Sequence, residues 1–356
     1  MEKATDLIAT TQKIPLERKV VIWSLFFLIC IGLGYPALNR YDPRSVVGLY
    51  DTRAYFSMVT GDQLQDDQTD LSHRILVPYA VRAIYWLVNG HLKTWNPVFF
   101  SLLVVNSFFI ATTASLLVSI GHRIAGSYTV ALLASFIYLA DFAVANLNLS
   151  GYVDSAVNCA LIAIVWSLFK ERWWMLPLWG LVGVLAKETF VPLAAVLVFA
   201  WWFTAYRRGE AGLSYLVWIG AMIAVGFVTI FFTMAYGATS YTPWSFAGSR
   251  LVESSNLFLP GLARCLLARE FLYSFIWLLP LGLFRLGRLP GPWVVGTAFA
   301  AVAALAMGTY NDALGNTTRA IFSACGPLLS LSTALLLEET PRAESLKQRR
   351  GLDKPL

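Results

Sequence analysis

Apolar stretches near the length that carries a helix across a hydrocarbon layer, about 20 residues, recur along the whole chain. Val20–Leu38, Pro97–Ile120, Thr129–Leu147, Ser155–Phe169, Leu213–Tyr236, Phe271–Phe284, Trp293–Met307 and Ile321–Leu337 all reach or approach it. Composition points the same way: 57% of the 356 residues are hydrophobic and 13% are charged, against about 25% charged in soluble domains. A water-facing surface of this size needs more charge, whereas a bilayer supplies apolar solvent. The many Trp and Tyr rings suit membrane interfaces, where one end of the ring is wet.

Met175–Phe203 is too long for one span and carries Lys187-Glu188 in its middle. It reads as two shorter helices meeting at that pair, on one side of the membrane. The count becomes about ten spans. Ile75–Val88 is shorter and carries Arg82, so it reads as an interfacial or re-entrant helix. The expected fold class is an all-α polytopic membrane protein. Residues 1–337 would form one transmembrane domain, with amphipathic helices in its first extracytoplasmic loop, and 338–356 a mobile, charged cytoplasmic tail.

Orientation follows from Lys and Arg in the short connections. Lys13, Arg18 and Lys19; His122 and Arg123; Lys170 and Arg172; Arg207 and Arg208; and Arg285 and Arg288 alternate along the chain, and Arg342, Lys347, Arg349, Arg350 and Lys354 follow in the tail. All fall on one side if both termini are cytoplasmic. This topology signal accounts for most of the net charge of +6 without a nucleic-acid partner. Cys30, Cys159, Cys265 and Cys325 are scattered and form no CxxC pair, which supports neither a metal site nor a disulfide framework. Asn148-Leu-Ser and Asn316-Thr-Thr match the glycosylation pattern and would face outside.

On this topology the outer face collects the longer loops, where function usually sits. In the first loop, Asp42 before Pro43 suits a helix start, and Val46, Val47, Tyr50, Ala54 and Met58 recur at helical spacing. Asp51 and Tyr55 then share a face at i and i+4. Asp51 is a candidate general base; its other reading is a solvated partner of Arg53 or Arg74. Asp66, Asp67 and Asp70 could hold a hard cation, although their polar surroundings read as an exposed loop. Arg74 opens the amphipathic helix and is either a bidentate phosphate donor or an interface marker.

Ionisable groups inside or edging spans are costly and are functional candidates by default. Asp141 lies roughly 18 Å along its helix from Thr129. Asp154 begins the next span, as a functional carboxylate or an N-cap. Sequence neighbours cannot face each other on a helix, so Lys187 and Glu188 each need another partner. Asp141, Asp154 and a ligand phosphate are available on that side, and an ion pair that fixes helix packing is the alternative. Asp312 and Arg319 flank the entry to the last span, while Arg250, Arg264 and Arg269 add positive charge outside. No G-x-S-x-G, H-E-x-x-H or P-loop pattern occurs.

The chain resembles the GT-C superfamily of integral-membrane glycosyltransferases, of the bacterial type that uses polyprenyl-phosphate sugars. The resemblance rests on Asp51 in a first outer loop with amphipathic helices, Arg74-Ile-Leu-Val-Pro, Gly151-Tyr-Val-Asp154-Ser, Ala186-Lys187-Glu188-Thr189, and Arg319 followed by Pro327. It implies a polyprenyl-phosphate-linked sugar as donor, an extracytoplasmic glycan, lipid or protein as acceptor, and Asp51 as catalytic base. It also implies a lipid-phosphate site, for which Arg74, Lys187 and Arg319 are candidates, with Glu188, Asp154 and Tyr55 beside them. No cofactor is implied beyond an optional divalent cation. The location implied is the bacterial inner membrane. Two departures stand out: the chain is expected to lack the soluble carboxyl-terminal domain that many members carry, and Asp51 has Tyr50 and Thr52 as neighbours rather than a second acid. The rival functional class is a transporter or flippase for a lipid-linked or anionic substrate, with a non-catalytic subunit of an envelope complex as a third reading.

Overall fold

A computed structural model describes residues 15–39, 50–62, 71–236, 258–310 and 314–352, and these form helices, turns and no strand. In order, the helices are α1 Leu16–Asn39, α2 Tyr50–Thr60, α3 Leu76–Val88, α4 Pro97–Ala125, α5 Tyr128–Leu139, α6 Asp154–Phe169, α7 Leu176–Ala186 and α8 Phe190–Arg207. Then follow α9 Leu216–Tyr236, α10 Phe258–Leu266, α11 Arg269–Phe275, α12 Leu278–Leu283, α13 Gly291–Tyr310 and α14 Leu314–Leu352. Six helical stretches among the described residues are long and apolar enough to cross a membrane. The protein is therefore a multi-pass α-helical membrane protein.

Helix α4 shows how sequence sets an element. The Asn96 side chain accepts from Val98 N at 2.9 Å, Pro97 occupies the first turn where no amide partner is required, and Gly126 closes the helix at φ 67°. Packed against α1, α3, α5 and α6, α4 forms the centre of the bundle together with α14, which meets α5, α6, α12 and α13. Apolar burial does not drive association between helices that lie in lipid; close packing and interhelical hydrogen bonds do. Accordingly Ala111, Ala114, Ala131 and Ala134 are fully buried, and Ser135 Oγ donates across to Ala114 O at 2.9 Å. The apolar window of Leu16–Leu38 is only 17% buried, against 78% for Thr317–Leu337. The first helix is thus peripheral, presenting Val21, Leu25 and Leu28 outward, and the last is central.

Several expected spans are interrupted. Thr129–Leu147 breaks after Leu139, because the Asp141 carboxylate accepts from Ala143 N at 2.8 Å and so competes with the helical ladder. A π-helical turn, Val144–Asn148, follows. Phe271–Phe284 divides into α11 and α12, and Pro280 supplies the reason: its ring opposes a helical carbonyl at residue 276. Met175–Phe203 divides at Lys187 as expected. There the backbone is extended (φ −162°, ψ 133°), and Pro192 prevents an unbroken helix through residue 188. The chain turns back tightly, with the Phe190 ring on Gly183, where any Cβ would overlap it. From Glu338 the backbone continues as part of α14 to Leu352. Asn148 is 1% exposed, so the first glycosylation motif is closed to modification in the folded protein.

Candidate functional site

The break between α7 and α8 creates the site. With the helix interrupted at Lys187, the two charged neighbours turn to different partners. Lys187 Nζ donates to Asp154 Oδ1 at 2.9 Å, on the first turn of α6. Glu188 instead receives Arg74, whose Nε and Nη2 donate to its two oxygens at 2.9 and 2.7 Å. This is the bidentate guanidinium–carboxylate geometry that Lys cannot reproduce.

Helix α6 is held in register at this end by Ser155, whose hydroxyl donates to Asn106 Oδ1 on α4 at 2.5 Å. Further along, Asn158 Nδ2 donates to Tyr138 Oη on α5 at 3.2 Å. Gly151, at φ 99°, makes the turn into α6 and faces the Thr52 side chain of α2 across a gap too small for a Cβ at ordinary distance. These contacts bring Asp154 beside α2, so its second oxygen accepts from Arg319 Nη1 of α14 at 2.7 Å. The guanidinium of Arg319 also lies over the Tyr152 ring, 3.9 Å from its centroid, a cation–π contact.

Asp51 and Tyr55 do share a face of α2, and Arg74 meets both. Arg74 Nη1 donates to Tyr55 Oη at 3.2 Å and lies 3.7 Å from Asp51 Oδ2. Arg319 Nη2 lies 3.7 Å from that same oxygen. All seven candidate residues, Asp51, Tyr55, Arg74, Asp154, Lys187, Glu188 and Arg319, therefore belong to one cluster. The carboxylates of Asp51, Asp154 and Glu188 balance the cations of Arg74, Lys187 and Arg319. The members differ in access: the Asp51 side chain is 17% exposed, whereas that of Asp154 is 3% exposed.

Burial opposes charge throughout the cluster, and the pairings decide the outcome. It would raise the Glu188 pKa, but Arg74 and His73 hold the carboxyl well below its ordinary value. Because Glu188 stays ionised, His73 Nε2, 2.7 Å from Glu188 Oε2, is the donor of that bond. Burial pushes the Lys187 ammonium down despite the attraction of Asp154, and it pushes the Tyr55 phenol up. A buried ionic network is weak evidence for stability, since desolvating several charges costs about what their attraction returns. Perturbed groups gathered at one spot instead mark a candidate functional site.

No family model matches this chain, and no curated protein matches it.

His73 and Tyr152 are the members that sequence reasoning did not assign. Each adjoins an assigned residue, His73 beside Arg74 and Tyr152 two before Asp154, and that adjacency was the available signal. Asp141, offered as a partner of Lys187, is not one; its Oδ2 has no partner among the described residues. Asp154 does not cap its helix, whose cap position is Val153 with no side-chain bond. Arg269 pairs at 3.6 Å with Glu270 and is exposed. Asp42, Pro43, Val46, Val47, Asp66, Asp67, Asp70, Arg250 and Asp312 lie outside the described residues. Among the described residues, no group of three or more His, Cys, Asp or Glu side chains is arranged to hold a metal ion.

Proposed function

We propose that the protein is a membrane glycosyltransferase of GT-C type, which moves a sugar from a polyprenyl-phosphate-linked donor to an extracytoplasmic acceptor. The observation that carries this reading is Asp51 Oδ2, 3.7 Å from both Arg74 and Arg319. A partly exposed carboxylate and two guanidinium groups sit together on one site, and sugar transfer from a lipid phosphate needs a base and cations within reach of one donor.

In the proposed reaction Asp51 takes the proton of an acceptor hydroxyl as its oxygen bonds to the anomeric carbon. The bond from that carbon to the phosphate oxygen breaks, and its electron pair leaves with the lipid phosphate. Arg74 and Arg319 stabilise the charge growing on that phosphate, and they act strongly because buried donors need no reorganisation. Lys187, Asp154 and Glu188 hold the two guanidinium groups in place. In this reading both termini are cytoplasmic, the cluster faces the opposite side, and the membrane is a bacterial inner membrane. The alternation of Lys and Arg along the connections supports that orientation.

The test is turnover of polyprenyl-phosphate sugars by the purified protein in lipid nanodiscs, wild type against Asp51→Asn. Release of lipid phosphate by the wild type and none by the variant, with both folded, is the expected result. Absence of turnover with every donor, alongside saturable lipid binding, would turn the reading to a transporter.

A further inference from the structure

At the other end of α1 from the Asp51 cluster, α1 and α4 part to leave a cavity of about 200 Å³. Lys19 and Ile22 of α1, Thr112, Ser115 and Leu116 of α4, and Tyr128 of α5 line it. Leu38, near the far end of α1, sits beside Gly151, three residues before Asp154. Lys19 is about 28 Å back along the same helix, so the cavity and the cluster belong to opposite membrane surfaces.

The two ends of the cavity differ in chemistry. At the mouth Lys19 is exposed, and the Arg18 guanidinium lies over the Tyr128 ring, 4.1 Å from its centroid. Arg123, exposed in the last turn of α4, adds a third cation, while Glu17 is the acid in the first turn of α1. From Ser119, which also lines it, the cavity runs to Thr112, about 10 Å along α4 toward the middle of the span. There Trp23 Nε1 donates to Thr112 Oγ1 at 3.1 Å and joins the two helices at the deep end. Ile22, Thr112, Ser115 and Leu116 are only half-buried, so the cavity opens on the outer flank of the bundle.

Such a space selects an amphiphile. A free anion would use the cations and leave the apolar walls unmatched, and a plain hydrocarbon would do the reverse. An apolar cavity of about 150 Å³ takes a benzene ring, so this one accommodates part of an acyl chain. A second copy of the chain, related by a two-fold axis, would bring the same cations against these and be repelled. Basic pockets between helices at one membrane surface favour anionic headgroups, and each nearby Lys or Arg adds to the attraction.

We propose that the cavity between α1 and α4 binds an anionic phospholipid, with its phosphate on Arg18 and Lys19 and an acyl chain between Ile22 and Leu116. The lipid fills the gap between the peripheral first helix and the centre of the bundle, and so clamps one to the other. The site does not depend on the reading of the Asp51 cluster.

Native mass spectrometry of the full-length protein in detergent, titrated with dioleoylphosphatidylglycerol or dioleoylphosphatidylcholine, gives the affinity of the first lipid bound. Wild type should hold phosphatidylglycerol on the order of tenfold more tightly. Arg18→Gln combined with Lys19→Gln should abolish that preference. Ser115→Leu fills the cavity, leaves the cations, and should weaken phosphatidylglycerol binding several-fold. Melting without added lipid checks the fold of each variant. Lys19→Gln alone, at an exposed position, replaces the double variant if that one melts early, and Ser119→Leu likewise replaces Ser115→Leu. Equal affinity of wild type for the two lipids would overturn the proposal, as would a preference that survives in the charge variants. Loss in the charge variants with Ser115→Leu and Ser119→Leu unaffected would place the lipid on surface cations outside the cavity and overturn it equally. Displacement of the lipid by inorganic phosphate would mean a site for a free anion and overturn it too.

Discussion

Lys187 Nζ lies 2.9 Å from Asp154 Oδ1, joining the break between α7 and α8 to the first turn of α6. The two residues are 33 positions apart in sequence, and both are nearly inaccessible. Their pairing fixes Asp154 so that its other oxygen receives Arg319. Lys187→Met should therefore leave a buried carboxylate with half its compensation and cost about 3–5 kcal/mol. Lys187→Met combined with Asp154→Asn should recover part of that loss, because the uncompensated charge is gone. Thermal unfolding of the variants in one detergent provides the comparison, and a double variant no better than the single would mean the pair acts through packing.

Glu188 makes stability depend on acid. Its folded pKa lies well below the ordinary value of 4.5, because Arg74 and His73 hold the ionised form. The sign follows from linkage: where the unfolded chain binds the proton and the folded one does not, stability falls as pH falls. The contribution is thus complete above about pH 4.5 and lost progressively below it, toward the folded pKa. Glu188→Gln should be less stable than wild type at pH 7 and should lose less stability on acidification below pH 4.5. Urea unfolding in mixed micelles across that range tests this. Parallel curves for the two proteins would remove Glu188 from the acid response.

The sequence made legible the features that depend on local geometry. Asp51 and Tyr55 share a face because residues four apart on a helix must, and Arg74 meets both. Lys187 and Glu188 separate because adjacent residues cannot point the same way. Arg74 for Asp51 and Asp154 for Lys187 were among the partners the sequence offered, but the pairing of Asp154 with Arg319, 165 positions away, was not legible, since tertiary packing decides it. Asp141 misled for a related reason. Its burial was foreseeable, but its bond to Ala143 N uses the backbone two residues on and ends the helix that was expected to continue. Hydropathy registered apolar length in Phe271–Phe284 and gave no weight to Pro280, which interrupts it.

Gly183 lets α7 and α8 approach closely enough to present Lys187 and Glu188 together. A methyl group there would overlap the Phe190 ring, so Gly183→Ala must displace the ring or the junction. Overpacking of this kind typically costs about 1–3 kcal/mol. If the cluster holds the lipid phosphate as proposed, binding of farnesyl phosphate should weaken along with stability, because the junction carries the partners of Arg74 and Asp154. Adding Phe190→Leu removes the clash and should restore most of both. Failure of that rescue, measured by melting temperature and farnesyl phosphate affinity together, would mean Gly183 serves the helix itself rather than the junction.

Arg74 distinguishes a fork from a charge. It gives two bonds to Glu188 and one to Tyr55, and it faces Asp51. Lys in its place keeps the charge but presents a single flexible ammonium, which cannot hold both Glu188 oxygens and also reach α2. Arg74→Lys should lose about 2 kcal/mol of stability, the worth of one or two hydrogen bonds to charged groups. If the phosphate seats between Arg74 and Arg319, its affinity should also fall, on the order of tenfold. Tyr55→Phe provides the contrast. It removes one acceptor of Arg74 and leaves the fork to Glu188 intact, so it should cost about 1 kcal/mol and change phosphate affinity little. Equal effects of Arg74→Lys and Tyr55→Phe on affinity would mean that Arg74 acts through α2 and would count against Arg74 as a partner of the phosphate.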